Sequence, residues 1–209
     1  MSIGGWGGWN YAIGSSMLLK NAGGENIRVY CILDSDYHTL EQISNRLPQA
    51  RVHQIELHIW SKKEIENYLL APAPIVRTIM SRAAKRVEPP TELEVENQLA
   101  TICERLRDDV FDAMATEILA HNKALGQGGA DKPARGVLEE RWKTPQQRVA
   151  VIPGKTALGQ LSQWSQDQFG VSLSPSMIAR QLRSAEIDPE LRSLLQTVAD
   201  CAGVLEPSS

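Results

Sequence analysis

Residues 27–33, Ile-Arg-Val-Tyr-Cys-Ile-Leu, form an apolar run rich in β-branched and aromatic types that closes on Asp34-Ser35-Asp36. Such a run, bounded by acids, reads as a buried strand of a parallel sheet, which needs helices to cover it. Its carboxyl end is where open α/β sheets keep their chemistry. Strand side chains alternate with a period of two, so Asp34 and Asp36 are expected on one side and Ser35 on the other. Two carboxylates so placed repel each other unless a cation or a shared proton lies between them. Oxygen donors of this kind suit Mg²⁺ or Mn²⁺. The competing structural reading is a strand that ends in a solvated turn, with the acids as local caps.

Around that strand the pattern alternates. A Gly- and Trp-rich opening, Gly4-Gly5-Trp6-Gly7-Gly8-Trp9, reads as a strand end and tight turn, and a helix follows over residues 12–20 with Asn21-Ala22-Gly23-Gly24 as its stop. Leu40, Ile43 and Leu47 predict a helix over residues 39–47 that Pro48 ends. Residues 52–60 read as a second strand. Strands alternating with helices imply a parallel sheet. The fold class expected is therefore α/β, with a mostly parallel sheet flanked by helices in residues 1–72.

Beyond residue 60 only helices are expected. Pro72 and Pro74 interrupt a segment opened by Ser61, and a basic helix carrying Arg77, Arg82, Lys85 and Arg86 follows. Thr91-Glu92-Leu93-Glu94 is a capping box, and Val95, Leu99, Ile102, Leu106, Val110, Met114 and Ile118 form the stripe of a long amphipathic helix. Residues 126–132 are Gly-rich and polar and read as an exposed, mobile loop. Residues 149–152 read as a short strand, followed by a turn at Pro153-Gly154 and a helix from about Lys155. Ser174-Pro175 and Asp188-Pro189 are start signals for two further helices, and the tail from Glu206 is expected to fray. This divides the chain into the α/β core (1–72), an all-helical lobe (73–145) and a C-terminal segment (146–209) that carries Lys155 and completes both. No internal repeat is visible.

Composition narrows the function classes. With 209 residues and 42% hydrophobic content the chain can bury a substantial core. A net charge of −3 and a pI near 5.8 exclude a strongly basic nucleic-acid coat but not a local phosphate site. Cys31, Cys103 and Cys201 lack Cys-x-x-Cys pairing, which argues against a disulfide framework or structural zinc and fits a reducing cytoplasm. No apolar stretch reaches the roughly 18 residues of a membrane span, and no signal peptide is expected. His38, His53, His58 and His121 lack the spacing of a zinc pair. Only His38 lies near the acids, where a turn residue is its ordinary role.

Three blocks carry a family resemblance. Residues 31–37 (Cys-Ile-Leu-Asp-Ser-Asp-Tyr), residues 63–70 (Lys-Glu-Ile-Glu-Asn-Tyr-Leu-Leu) and Pro153-Gly154-Lys155 resemble the TOPRIM nuclease region of the OLD family, named for overcoming lysogenization defect. The resemblance spans most of the chain. It implies a TOPRIM-like sheet with an added helical lobe, a metal-dependent DNA endonuclease, two divalent ions, Mg²⁺ or Mn²⁺, and an N-terminal ABC-type ATPase as the partner domain. It also exposes a gap: TOPRIM sites include a glutamate on an earlier strand, and before Asp34 this chain offers only Glu25. The first strand is then expected to precede Met1, in a fragment, a late-start product or a degenerate copy.

The resemblance assigns roles by residue. Asp34, Asp36, Glu64 and Glu66 become metal ligands, with Asp34 the bridge between two ions. Glu64 and Glu66 stand roughly 200° apart on a regular helix, so both on one ion is not expected, and Glu64 has the competing role of closing a capping box with Ser61. Lys155 becomes the site lysine for the scissile phosphate or the charge that develops on it. A P-loop does not account for it, because Val149 stands where a Walker A motif needs glycine. Arg77, Arg82, Lys85 and Arg86 are candidates for the DNA backbone, against a plain solvated face.

Two other classes stay open. Leu33-Asp34-Ser35-Asp36 also resembles the start of haloacid-dehalogenase phosphatases, with Asp34 as nucleophile, although His38 stands where that family has threonine or valine. A catalytically incomplete module that binds nucleic acid or a partner is the other.

Overall fold

The computed structural model describes residues 5–23 and 27–201; Gly4, Glu25 and the tail from Glu206 lie outside them. In chain order the elements are α1 (Trp9–Gly23), β1 (Val29–Leu33), α2 (Leu40–Val52), β2 (Ile55–Ile59), α3 (Pro72–Met80), α4 (Glu92–His121), α5 (Gly126–Arg141), α6 (Pro145–Val151), α7 (Gly154–Phe169), α8 (Pro175–Ala179) and α9 (Pro189–Cys201). Short 3-10 turns stand at Gly5–Gly8 and Ile65–Tyr68, among others. The described residues are mostly helical, with one small parallel sheet among them. By contacts it divides into two compact units, Met1–Asp34 with Leu40–Trp60 and Ile187–Ser209, and Ser35–Thr39 with Ser61–Glu186. Residues 61–72 thus share a unit with most of the helices that follow.

In the first unit β1 and β2 pair in parallel, Val29 opposite Ile55 and Leu33 opposite Ile59, with α2 as the crossover such pairing requires. The Trp60 N–H donates to the Leu33 carbonyl at 3.1 Å, one step past the ladder. Cys31 and Leu33 are buried at 6% and 1% exposure while Ile32 is 44% exposed, so β1 is covered on one face rather than two. Trp9, Ala12, Ala50 and Ile55 complete that core. Pro48 does not end its helix: α2 runs on to Val52, and burial of Ala50 offsets the backbone hydrogen bond that proline forgoes. The glycine-rich opening is a 3-10 turn leading into α1.

The second unit is built on α4. Thr91 Oγ1 accepts from the Glu94 N–H and Glu94 Oε2 accepts from the Thr91 N–H at 2.7 Å, so the expected capping box is formed. Val95, Leu99, Ile102, Leu106, Val110 and Met114 are buried, as their helical spacing predicts. They pack in one core with Ile75 and Ile79 of α3, Ala134 and Leu138 of α5, and Leu158 and Leu161 of α7.

Two expectations fail here. Residues 126–132 form the start of α5, because Ala130, Ala134 and Leu138 recur at helical spacing and are buried; burying that stripe outweighs glycine's low helix propensity. Residues 149–152 belong to the end of α6 and its cap. Thr144 Oγ1 accepts from the Gln147 N–H, Gln147 Oε1 accepts from the Thr144 N–H, and Pro145 opens the helix, so local capping overrides the β-branched composition. Ser174 caps α8 as expected, and Asp188 Oδ1 accepts from the Glu190 N–H at the start of α9.

Candidate functional site

The acids after β1 do not continue the strand. β1 ends at Leu33, and Asp36 has a φ of +46°, a left-handed conformation that aspartate tolerates better than most residues. The period-two argument that placed Asp34 and Asp36 on one side therefore no longer applies. Asp34 belongs to the first unit, where its carbonyl accepts a 2.7 Å hydrogen bond from Trp6 Nε1. Asp36 belongs to the second, where its N–H donates to the Lys63 carbonyl and Ser35 Oγ donates to the Lys62 carbonyl at 2.8 Å.

Those bonds bring Asp36 against the segment that opens with Ser61. The Lys63 ammonium lies 2.8 Å from Glu64 Oε1, 3.3 Å from Asp36 Oδ1 and 4.9 Å from the centre of the Tyr37 ring. The Lys63 side chain is only 9% exposed and that of Glu64 11%. A buried ammonium thus stands between two of the carboxylates expected to bind metal. Glu64 turns its other oxygen, Oε2, to the backbone N–H of Lys155 at 2.9 Å. Burial pushes the Glu64 carboxyl up, but the hydrogen bonds from Lys63 and from the Lys155 N–H, with the charges of both lysines, more than offset it and hold the group below its ordinary value. The Tyr37 hydroxyl is pushed well up, first by burial and then by the carboxylates of Glu64, Asp36 and Asp109.

Glu64 and Glu66 are not on a regular α-helix. Glu64 precedes the 3-10 turn Ile65–Tyr68 and caps it together with Asn67, not with Ser61. Glu66 lies within the turn, and its Oε2 is buried without a hydrogen-bond partner among the described residues. Glu66 and Lys155 line the same cavity, so the glutamates serve two adjoining places.

Asn67, which sequence reasoning passed over, locks this region. It is 2% exposed. Its Oδ1 accepts from the Glu64 N–H at 2.8 Å, and its Nδ2 donates to the carbonyls of Val149 at 2.6 Å and Ile152 at 2.9 Å. The end of α6 is thereby tied to the turn that carries both glutamates. Gly154 completes the fit: a Cβ there would stand 2.6 Å from Asn67 Oδ1 and 3.0 Å from the Asn67 backbone nitrogen. Only glycine lets the start of α7 approach so closely, and that approach presents Lys155. The available signal was a lone amide ahead of the apolar Tyr68-Leu69-Leu70, all three of which are buried as packing residues.

The other candidates lie elsewhere. Arg77 is the only one of the four basic residues on α3, and its guanidinium is engaged by the Gln181 carbonyl and the Glu186 carboxylate, so it is a structural ion pair rather than a free phosphate contact. Arg82, Lys85 and Arg86 are exposed on the turns after α3, not on a basic helix. His38 Nδ1 meets Glu117 Oε1 at 2.8 Å. Trp9 is buried, and the Arg46 guanidinium covers both Trp6 and Trp9 at 4.9 and 5.1 Å, which gives the rings a packing role.

The donor chemistry of Asp36 and Glu64 fits a hard divalent cation, and the unpartnered oxygen of Glu66 is a further acceptor of the same type. Among the described residues no three His, Cys, Asp or Glu side chains converge on one point; Asp36 and Glu64 converge on an ammonium instead. Cys31 and Cys103 are free thiols in the cores, and among the described residues no helix is long and apolar enough to cross a membrane. No protein-family model, curated protein or solved structure matches the chain.

Proposed function

We propose that this chain is a metal-dependent DNA endonuclease of the OLD type, in which Asp36 and Glu64 hold Mg²⁺ or Mn²⁺ and Lys155 takes the phosphate. One observation carries this reading: Glu64 accepts a hydrogen bond from Lys63, which also pairs with Asp36, and another from the N–H of Lys155, 91 residues further along. All three sequence blocks that carry the resemblance are therefore linked through Lys63 and Glu64. When bound, the divalent ions supply an activated water and neutralise the leaving oxygen. The chain supplies the rest. Glu64 fixes the first turn of α7, Gly154 allows that turn to close on Asn67, and Lys155 is presented as a point charge for a phosphate.

The test is nicking of a supercoiled plasmid by the full chain in Mn²⁺. Asp36→Ala abolishes it, and Lys155→Ala slows turnover more than it weakens metal uptake. Cleavage that survives in Asp36→Ala overturns the assignment, and equal losses on both measures move Lys155 out of the catalytic role.

A second reading has its own support. Lys63 already pairs with both Asp36 and Glu64, so each acid has a counter-charge without metal, as befits a catalytically incomplete nucleic-acid-binding module. That module would bind DNA with neither Mn²⁺ uptake nor cleavage.

A further inference from the structure

Next to Lys155, an open cavity of about 390 Å³ runs along one face of α7 and is bordered by Ser172, Leu173 and Pro175, a size at the lower end of small-molecule pockets. Its apolar floor includes Leu158 and Leu173, which are buried. Its polar groups are of three kinds. Lys155 is an exposed cation at one end, and the carboxylate of Glu66 lines the same space. Gln163 donates its amide nitrogen to Asp167, and Gln166 accepts at its amide oxygen from Ser172 Oγ. Among the described residues this leaves an acceptor on Gln163 and a donor on Gln166 unused.

A ligand that meets all of these carries an anionic group for Lys155, an O–H or N–H donor for Glu66, a flat apolar face for the leucines, and an edge with both donor and acceptor for the two amides. A free inorganic anion leaves the floor and amides idle, and an apolar molecule leaves Lys155 and Glu66 unmet. A nucleotide satisfies the set, because every base has a π-face and a hydrogen-bonding edge.

We propose that this cavity is the subsite for one nucleotide of the DNA strand, with its phosphate on Lys155, a base N–H on Glu66, and its base over Leu158 and Leu173 with a carbonyl against the unused donor of Gln166. The inference deepens the nuclease reading and rests on it for the identity of the strand.

The test is calorimetric titration of the metal-free full chain with dTMP and, separately, with inorganic phosphate. Gly159 lines the cavity and a Cβ there meets nothing within 4 Å, so Gly159→Leu fills the space without a clash and at a position where leucine favours the helix. dTMP binds at least tenfold more tightly than phosphate, and Gly159→Leu weakens dTMP at least tenfold while Mn²⁺ uptake is unchanged. dTMP binding no tighter than phosphate, or as tight in Gly159→Leu as in the unaltered chain, overturns the subsite. Failure of dTMP with Mn²⁺ uptake intact sinks the subsite alone; dTMP binding without Mn²⁺ uptake sinks the metal reading and leaves the subsite standing.

Discussion

Replacing Lys63 by methionine tests the electrostatics of the site, because it keeps an unbranched side chain and removes the charge that Asp36 and Glu64 share. Breaking a buried ion pair by removing one partner costs about 3–5 kcal/mol. Here the loss is smaller, since Asp36 is 44% exposed and Glu64 keeps its bond from the Lys155 N–H; about 2–3 kcal/mol at pH 7 is expected, scaling down the cost of a fully buried pair. For a chain of this length that lowers the melting temperature by about 4–12 °C.

The pH dependence carries its own sign. In the unaltered chain the Glu64 carboxyl lies below its ordinary value, so its contribution is present above the unfolded value and is lost as pH falls through the folded one. In Lys63→Met burial, already the largest single influence, loses much of what offsets it, so the carboxyl moves up and its stabilising contribution above the unfolded value shrinks. The difference between the two proteins therefore widens from pH 4 to pH 7. Thermal melts across that range read it directly. Equal stability at pH 7, or a difference that does not change with pH, refutes the buried-ammonium account.

Gly154→Ala places a methyl against the Asn67 backbone and costs about 1–3 kcal/mol as overpacking; an unchanged melting temperature would show that α7 does not need this close approach. Asn67→Ala strands the Ile152 carbonyl and the Glu64 N–H and costs about 2–4 kcal/mol over its three bonds. Asn67→Asp does not restore the loss, because it offers the carbonyls no donor, and full rescue by aspartate in a urea melt would contradict the assigned bonds. Thr91→Ala removes the cap of α4 and costs about 1 kcal/mol, a melting shift of about 2–4 °C, and no shift would mean the cap is redundant.

Elements whose signals are local were legible. β1 showed in its β-branched run, α4 in its capping box and unbroken apolar stripe, and the start of α7 in Pro153-Gly154. What escaped was decided by contacts distant in sequence or by a local cap at odds with the composition. The apolar positions of α5 are small alanines scattered among glycines, and only their burial against α4 makes the stripe count. In α6, a threonine, proline and glutamine cap redirects residues that otherwise favour a strand.

The site divides in the same way. Asp36, Glu64 and Lys155 were legible as residue types, but the left-handed turn at Asp36 that ends the strand's alternation was not. Nor was the role of Lys63, because a lysine beside a glutamate ordinarily reads as a solvated pair. Here it is nearly buried, and that burial makes it the counter-charge of the site.

The central proposal, that Asp36 and Glu64, which share the Lys63 ammonium, hold a divalent cation, is tested most directly by calorimetric titration of Mn²⁺ into the full chain. The account predicts saturable uptake that is lost in Asp36→Asn and tighter in Lys63→Met, where no ammonium has to be displaced. Uptake indifferent to Asp36→Asn, or absent from both the unaltered chain and Lys63→Met, contradicts it.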